Sequence, residues 1–423
     1  MEKTAASKNT FSAFQKVIYT FLAAVLCGIM WRTRGENGWG SSWGLLTVGL
    51  VFTFYIYSVF GKRGNSSMFH IAATATSFML SVPAWGSLLY QIQGFIQSDT
   101  EPEMTVPVSP FGGVFMMLVL GFGIPTLFAF FLSHLFSGRK YKLYHYVIVL
   151  AVFYAVMYLS RATLAHYVLN LVQPQSAQAF EASLAELGIQ SSAHRAYLQH
   201  FSSIAWAKHI PYGRVYFTEI STLSFAFSAL AVWITVHFGF KDKTGGRIIL
   251  VSCLAFAFSI TLADLFFRAQ GRYDSFIFQY TWVLWEYFTG FIAGGIIMAY
   301  LFAADKKSQP CEADRLFYFV PKKVCDAVEF LFIYGFALCV TLIRPVAERL
   351  KHNDTLMIIA YAVLGVAAVV IGIIMLTGKL PKIWKSDAVS FSRKAVLIYP
   401  AAYILMYQLI GSGSSPANIV AFS

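Results

Sequence analysis

Arg32, Arg34, Arg161, Arg268, Arg272, Arg344 and Arg349 stand at or near the ends of long apolar runs, interleaved with Glu36, Glu219, Asp264, Asp274, Glu286 and Glu348. If each carboxylate neutralises one guanidinium, arginine is left in excess, and its planar fork of donors suits a phosphate. Arg32, Arg34, Arg161 and Arg344 are the candidates for holding that phosphate. Glu219, Asp264, Arg268 and Glu348 would complete the binding site. Glu286 lies among Trp282, Trp285 and Tyr287, surroundings that suit a carboxyl to general acid or base work. Glu36 is the second candidate for that proton. His166, five residues after Arg161, is the third, although a lone histidine on an apolar helix is more often a satisfied core residue.

The densest polar motif is Trp31-Arg32-Thr33-Arg34-Gly35-Glu36-Asn37-Gly38-Trp39-Gly40-Ser41-Ser42-Trp43-Gly44. Tryptophan suits the lipid headgroup layer, and glycine lets a backbone approach a ligand closely. Taken alone, the stretch is equally a tight interfacial turn with two snorkelling arginines.

Positioning these residues is the work of a membrane bundle. The 423 residues are 57% hydrophobic and 12% charged, against about 25% charged in soluble domains. Runs long enough for about 30 Å of hydrocarbon lie at 13–31, 43–60, 68–92, 111–136, 143–171, 214–238, 247–267, 276–303, 325–343, 355–377 and 395–411. The expected fold is all-α, a polytopic integral membrane bundle of about eleven transmembrane helices. With the N-terminus inside and the C-terminus outside, most lysines and arginines of the short loops fall in the cytoplasm, as the positive-inside rule requires. The net charge of +12 therefore reports topology and anionic lipid; no nucleic-acid partner is expected. The first run has the basic flank of a signal peptide but no small-residue cleavage site, so it is expected as a retained anchor in the plasma membrane. No metal-ligand spacing, Walker loop or serine nucleophile elbow is present, and neither a metal nor a cofactor is expected.

Two connections are long. Residues 172–213 carry Phe180, Leu184, Leu187, Tyr197, Phe201 and Ile204 at helical spacing, interrupted by Gly188. They are expected as extracytoplasmic amphipathic helices lying on the outer leaflet, a lid. Residues 304–324 are expected as a plain cytoplasmic connector in a single membrane domain. Under this topology all the intramembrane charges named above belong to the outer halves of their helices. Alternating-access transporters keep their sites near the midplane, so this one-sidedness favours an enzyme acting on an outer-leaflet lipid. A transporter or flippase for an organic anion or lipid would instead use Gly121, Gly123 and Pro125 as a helix break. A non-catalytic membrane subunit would dock a partner through 172–213.

Trp285-Glu286-Tyr287-Phe288-Thr289-Gly290-Phe291-Ile292-Ala293-Gly294-Gly295, followed by Ala299-Tyr300-Leu301-Phe302-Ala303, resembles the glycine-rich helix of prolipoprotein diacylglyceryl transferases. Tyr334-Gly335-Phe336 with Arg344 and Glu348 is similar to that family's late helix. The resemblance implies a membrane transferase of phospholipid diacylglycerol working on the extracytoplasmic side, with Glu286, Gly290, Gly294, Gly295, Arg344 and Glu348 in its site. The family's histidine position holds Phe288 or Thr289, and its Gly-Arg-x-Gly-Asn-Phe signature is missing. The expected partners are accordingly a membrane phospholipid or lipid-linked substrate and an extracytoplasmic protein or glycan acceptor.

Overall fold

The computed structural model describes residues 11–305 except 37–41, 61–67, 81–87, 99, 201–203, 271–272 and 274–279, together with Pro321 and isolated helical positions between 355 and 370. By internal contacts the chain forms two compact units, Met1–Gly64 with Ala73–Leu316, and Asn65–Ala72 with Phe317–Ser423. In the second unit Thr355, Ile359, Ala362, Val363, Val366 and Val370 are helical and exposed. Their three-to-four-residue spacing is one apolar face of the run expected at 355–377. The runs expected at 325–343 and 395–411, nearly all of the 304–324 connector, and Arg344 and Glu348 lie outside the described residues.

The chain starts with α1 (Ala13–Glu36), α2 (Ser42–Phe60) and α3 (Met68–Met79). A 3-10 turn at Gln91–Gln93 and an antiparallel hairpin, β1 (Phe95–Gln97) with β2 (Thr105–Pro107), then lead into α4 (Pro110–Gly123) and α5 (Thr126–Ser133). α6 (Leu143–Ala162) is followed by four shorter helices, α7 (Leu164–Val172), α8 (Pro174–Glu186), α9 (Ala193–Gln199) and α10 (Ile204–Ala207). α11 (Gly213–Ile234) passes through a π-turn at Thr235–Gly239 into α12 (Lys243–Gln270) and finally α13 (Thr281–Asp305). Among the described residues six stretches are long and apolar enough to cross a membrane: Ala13–Arg32, Pro110–Ser133, Leu143–Ala162, Gly213–Gly239, Lys243–Gln270 and Thr281–Asp305. The protein is a helical, multi-pass membrane protein.

Three expectations change here. Trp31 to Glu36 continue α1 instead of forming a loop. The run 143–171 is two helices, because Thr163 adopts φ −141°, ψ −82° and ends α6 after twenty residues. That length already crosses about 30 Å, so α7 lies outside the span. The run 111–136 breaks between α4 and α5 at Ile124 and Pro125, whose ring cannot donate to the helical ladder.

Small residues set the tightest helix contact. α1 runs along α13, and a Cβ added to Gly290 would lie 2.4 Å from the carbonyl oxygen of Cys27. One added to Gly294 would lie 2.6 Å from the Cys27 Cβ. Such close backbone approach drives helix association in lipid, where hydrophobicity gives no preference. α12 packs against α13, α4 and α5. Phe256 on α12 meets Trp31 and Phe78, and Phe78 meets Phe128, joining four helices through one aromatic cluster.

The segment expected to lie on the leaflet instead forms a cap with its own core. Phe180, Leu184, Ala196, Tyr197, Tyr212 and Tyr216 are buried together with Ile96 of the hairpin and Leu169 of α7. The helical spacing of Phe180, Leu184 and Tyr197 is therefore spent on protein packing. Burying a side chain such as Phe180 contributes about 1.5–3 kcal/mol. α7 keeps an exposed apolar stripe, at Leu164, Tyr167 and Leu171.

Candidate functional site

Arg32, Arg161, Glu219, Asp264, Arg268 and Glu286 all lie toward the cap end of the bundle, since α1, α6 and α12 end there while α11 and α13 begin there. The opposite, basic end carries Arg139, Lys140, Lys142, Lys241, Lys243 and Arg247. At the cap end the charges form separate groups instead of one matched set.

Arg32 and Glu286 form a buried ion pair, Nη1 to Oε2 at 2.7 Å, with side chains 8% and 7% exposed. The α1–α13 seam just described holds them together. Gly290, Gly294 and Gly295, expected in the substrate site, face Trp31, Cys27, Ala23 and Ala24 of α1. They pack the helices that position Glu286, which corrects their assignment as substrate contacts.

Arg161 ends α6 half-buried, donating from Nη2 to Ser221 Oγ at 2.8 Å and lying over the Phe225 ring at 5.5 Å. Its Nε is buried without an acceptor, and no carboxylate pairs with it among the described residues. His166 does not serve as a free proton carrier. Its Nε2 sits 2.7 Å from the Arg161 carbonyl oxygen and its Nδ1 2.7 Å from the Tyr216 hydroxyl. The carbonyl can only accept, so Nε2 carries the hydrogen and Nδ1 accepts from Tyr216. His194 likewise donates to the Ala162 carbonyl at 2.9 Å. Two histidines from the cap thus satisfy the carbonyls left open where α6 stops. Burial, with His194 alongside, pulls His166 down to about 4, which keeps it neutral in this capping role. Tyr197 also faces this corner: burial pushes its phenol up to about 12, with Arg161 opposing.

Glu219, one and a half turns into α11, is completely buried. Its Oε1 accepts from Gln91 Nε2 at 2.6 Å, Gln173 Nε2 at 2.7 Å and Ser176 Oγ at 2.9 Å. The 3-10 turn brings Gln91, and Gln173 and Ser176 come from the start of α8. Glycine makes this junction feasible: a Cβ on Gly112 would lie 2.7 Å from Gln173 Oε1, and one on Gly113 would lie 2.3 Å from the Gln91 carbonyl oxygen. Asp264 on α12 is also completely buried, and neither carboxyl oxygen has a hydrogen-bond donor. Arg268, one turn later, donates to the Ile92 carbonyl at 3.3 Å and not to Asp264.

The one-to-one neutralisation expected from residue counts therefore does not occur among the described residues. Arg32 and Glu286 pair; Glu219 and Asp264 have no guanidinium, and Arg161 has no carboxylate. The side chains of Arg34 and Glu36 lie outside the described residues. Gln91, Gln173, Ser176, Ser221, Tyr216 and His194 do not stand out in the sequence, because uncharged polar residues are common in apolar helices and loops and carry no charge to be neutralised. Gln91 inside an apolar run and Gln173 directly before Pro174 were the available signals. Compared with protein-family models, curated proteins and solved structures, the chain gives no match.

Proposed function

We propose that this protein is an integral membrane enzyme that binds a phosphate-bearing lipid at its cap end and transfers or hydrolyses a group there. Assigning the cap end to the extracytoplasmic face of the plasma membrane follows from the basic residues of the other end and the positive-inside rule. The observation that carries the proposal is Arg161, a half-buried membrane guanidinium with a buried Nε that has no acceptor, a hydroxyl beside it and no carboxylate partner among the described residues. An intramembrane arginine is costly unless its charge is used, and a phosphate supplies the missing acceptors. Glu286 is the proton carrier in this scheme. A headgroup oxygen reaching Arg32 would compete for its guanidinium and release the carboxylate to act as a base.

The transport alternative drew on the break at Pro125. Gly121 and Gly123 beside it are jammed against α12 and against Phe225 of α11, with added Cβ atoms 2.4 Å from the Phe256 carbonyl oxygen and 2.9 Å from the Phe225 Cβ. That supports a packing role over a hinge.

The test is lipid mass spectrometry on the purified protein in vesicles of phosphatidylglycerol and phosphatidylethanolamine, alone and with peptide or glycan acceptors. Arg161→Ala should slow headgroup or acyl-glycerol turnover roughly a hundredfold, as for other groups that stabilise developing charge. Arg161→Lys should recover only part of it, lacking the fork. If the wild type leaves every lipid unchanged, or Arg161→Ala works at the wild-type rate, the proposal fails.

A further inference from the structure

α6 shows where this chain meets lipid. Among its exposed residues Val147, Ile148 and Leu159 are apolar, with Tyr144 exposed near its start and Tyr158 near its end. Apolar side chains bracketed by aromatics are how a membrane helix meets the hydrocarbon and its two interfaces. Tyr158 therefore marks the membrane surface at the cap end. Thr163 ends the helix five residues later, and α7 begins there as a separate helix of nine residues. Nine residues are too few to cross the hydrocarbon.

The two sides of α7 differ. Ala165, His166 and Leu169 are buried, Ala165 and Leu169 in the core of the cap. Leu164, Tyr167 and Leu171 are 45%, 70% and 74% exposed, and Asn170 is the one polar residue exposed with them. The next helix makes the contrast: α8 exposes Gln178, Glu181, Ala182, Ala185 and Glu186, a surface made for water. The stripe on α7 starts five residues after the lipid-facing Leu159 and just past the surface that Tyr158 marks, so it continues the lipid-contacting face of α6. We infer that α7 is an interfacial helix, with Leu164, Tyr167 and Leu171 set between the headgroups and acyl chains of the leaflet at the cap end, and that it seats the cap on a phospholipid surface. The tyrosine ring, apolar in body and polar at its tip, suits that layer, and a helix with one apolar face lies in its plane. His166 on the same helix holds the Arg161 carbonyl at 2.7 Å, so the seat also fixes the end of α6 at the headgroup level. This inference requires only that α6 crosses the membrane; it stands whether or not the protein turns lipid over.

The experiment uses the full-length protein in nanodiscs of phosphatidylglycerol and phosphatidylethanolamine, with the photo-crosslinking residue p-benzoylphenylalanine replacing Tyr167 or Leu171 in turn. The same residue replacing Val147 of α6 gives the yield of a lipid-facing position, and replacing Glu186 of α8 gives that of a water-facing one. After irradiation, mass spectrometry should find phospholipid adducts at positions 167 and 171 as abundant as at 147, and roughly tenfold fewer at 186. Adducts at 167 and 171 as scarce as at 186 would put the stripe in water and overturn the inference. Adducts there to a second copy of the chain would make the stripe a protein interface and overturn it too, and so would equal lipid adducts at all four positions, since the cap would then lie on lipid as a whole. A second measurement needs no crosslinker. Leu171→Asp and Leu187→Asp each put a carboxylate at an exposed leucine beside a helix end, with the same unfavourable dipole, so Leu171→Asp should lower the melting midpoint in nanodiscs clearly more. Equal midpoints for the two variants would contradict the seat.

Discussion

Asp242 at the basic end and Glu219 at the cap end are both buried carboxylates beside a helix start, and they are treated in opposite ways. Asp242 is fully engaged. Its Oδ2 accepts from Ser137 and Tyr141 hydroxyls at 2.6 Å each, and its Oδ1 accepts from the Gly245 amide at 2.8 Å, capping α12. Lys241, in a left-handed conformation at φ 55°, turns the chain so that this cap can form. Burial and the Asp242 charge hold the Tyr141 phenol well above its usual range, keeping its hydrogen available for that bond. Glu219 concentrates three donors on one oxygen and leaves the other bare. A satisfied buried acid is architecture; one with a bare oxygen is held in place at a cost in stability.

Removing the engaged acid should do the most damage. Asp242→Ala loses a helix cap and strands three donors, so a destabilisation of about 3 to 4 kcal/mol is expected. Thermal melting in nanodiscs reads it directly. A loss no larger than that of Glu219→Gln would erase the distinction between the two ends.

Acid comes next, and it strikes both ends alike. Burial holds His134 at the basic end and His166 at the cap end down to about 4, from 6.5 when unfolded. Both depressed values mean that the unfolded chain takes up protons that the folded protein refuses. The stabilisation is complete above pH 6.5 and declines as pH falls toward 4, by at most about 3 kcal/mol for each histidine. Melting midpoints at neutral and acid pH check this, and His134→Asn and His166→Asn should each flatten the profile. A midpoint that rises on acidification contradicts the neutral tautomer assigned to His166.

Asp264 sharpens the comparison in the other direction. Its two donorless oxygens make Asp264→Val an expected gain of about 1 to 3 kcal/mol in stability. A lower melting midpoint instead would mean that Asp264 belongs with Asp242. The smallest effect is expected for Arg139→Ala. This removes a cation over the Phe240 ring at 5.8 Å, worth about 0.5–1 kcal/mol at an exposed site. A double-mutant cycle with Phe240→Leu would measure it.

Hydropathy and composition alone determined that this chain is a multi-pass helical membrane protein, because a polypeptide cannot leave its backbone unsatisfied in lipid and must cross it as long apolar helices. Charge placement determined which residues are candidates for function, since an arginine or carboxylate within an apolar run is too costly to be incidental. Sequence did not reveal that Thr163 stops α6, nor that Phe180, Leu184 and Tyr197 face a protein core and not the lipid. Both surfaces are apolar, so periodicity cannot tell them apart. Nor could residue counts say which charges meet. Only the tertiary structure decided that Arg32 takes Glu286, that His166 caps a carbonyl, and that Gln91 and Gln173 converge on Glu219. Hydrogen bonds act over about 3 Å, and the partners in these come from helices and turns distant along the chain.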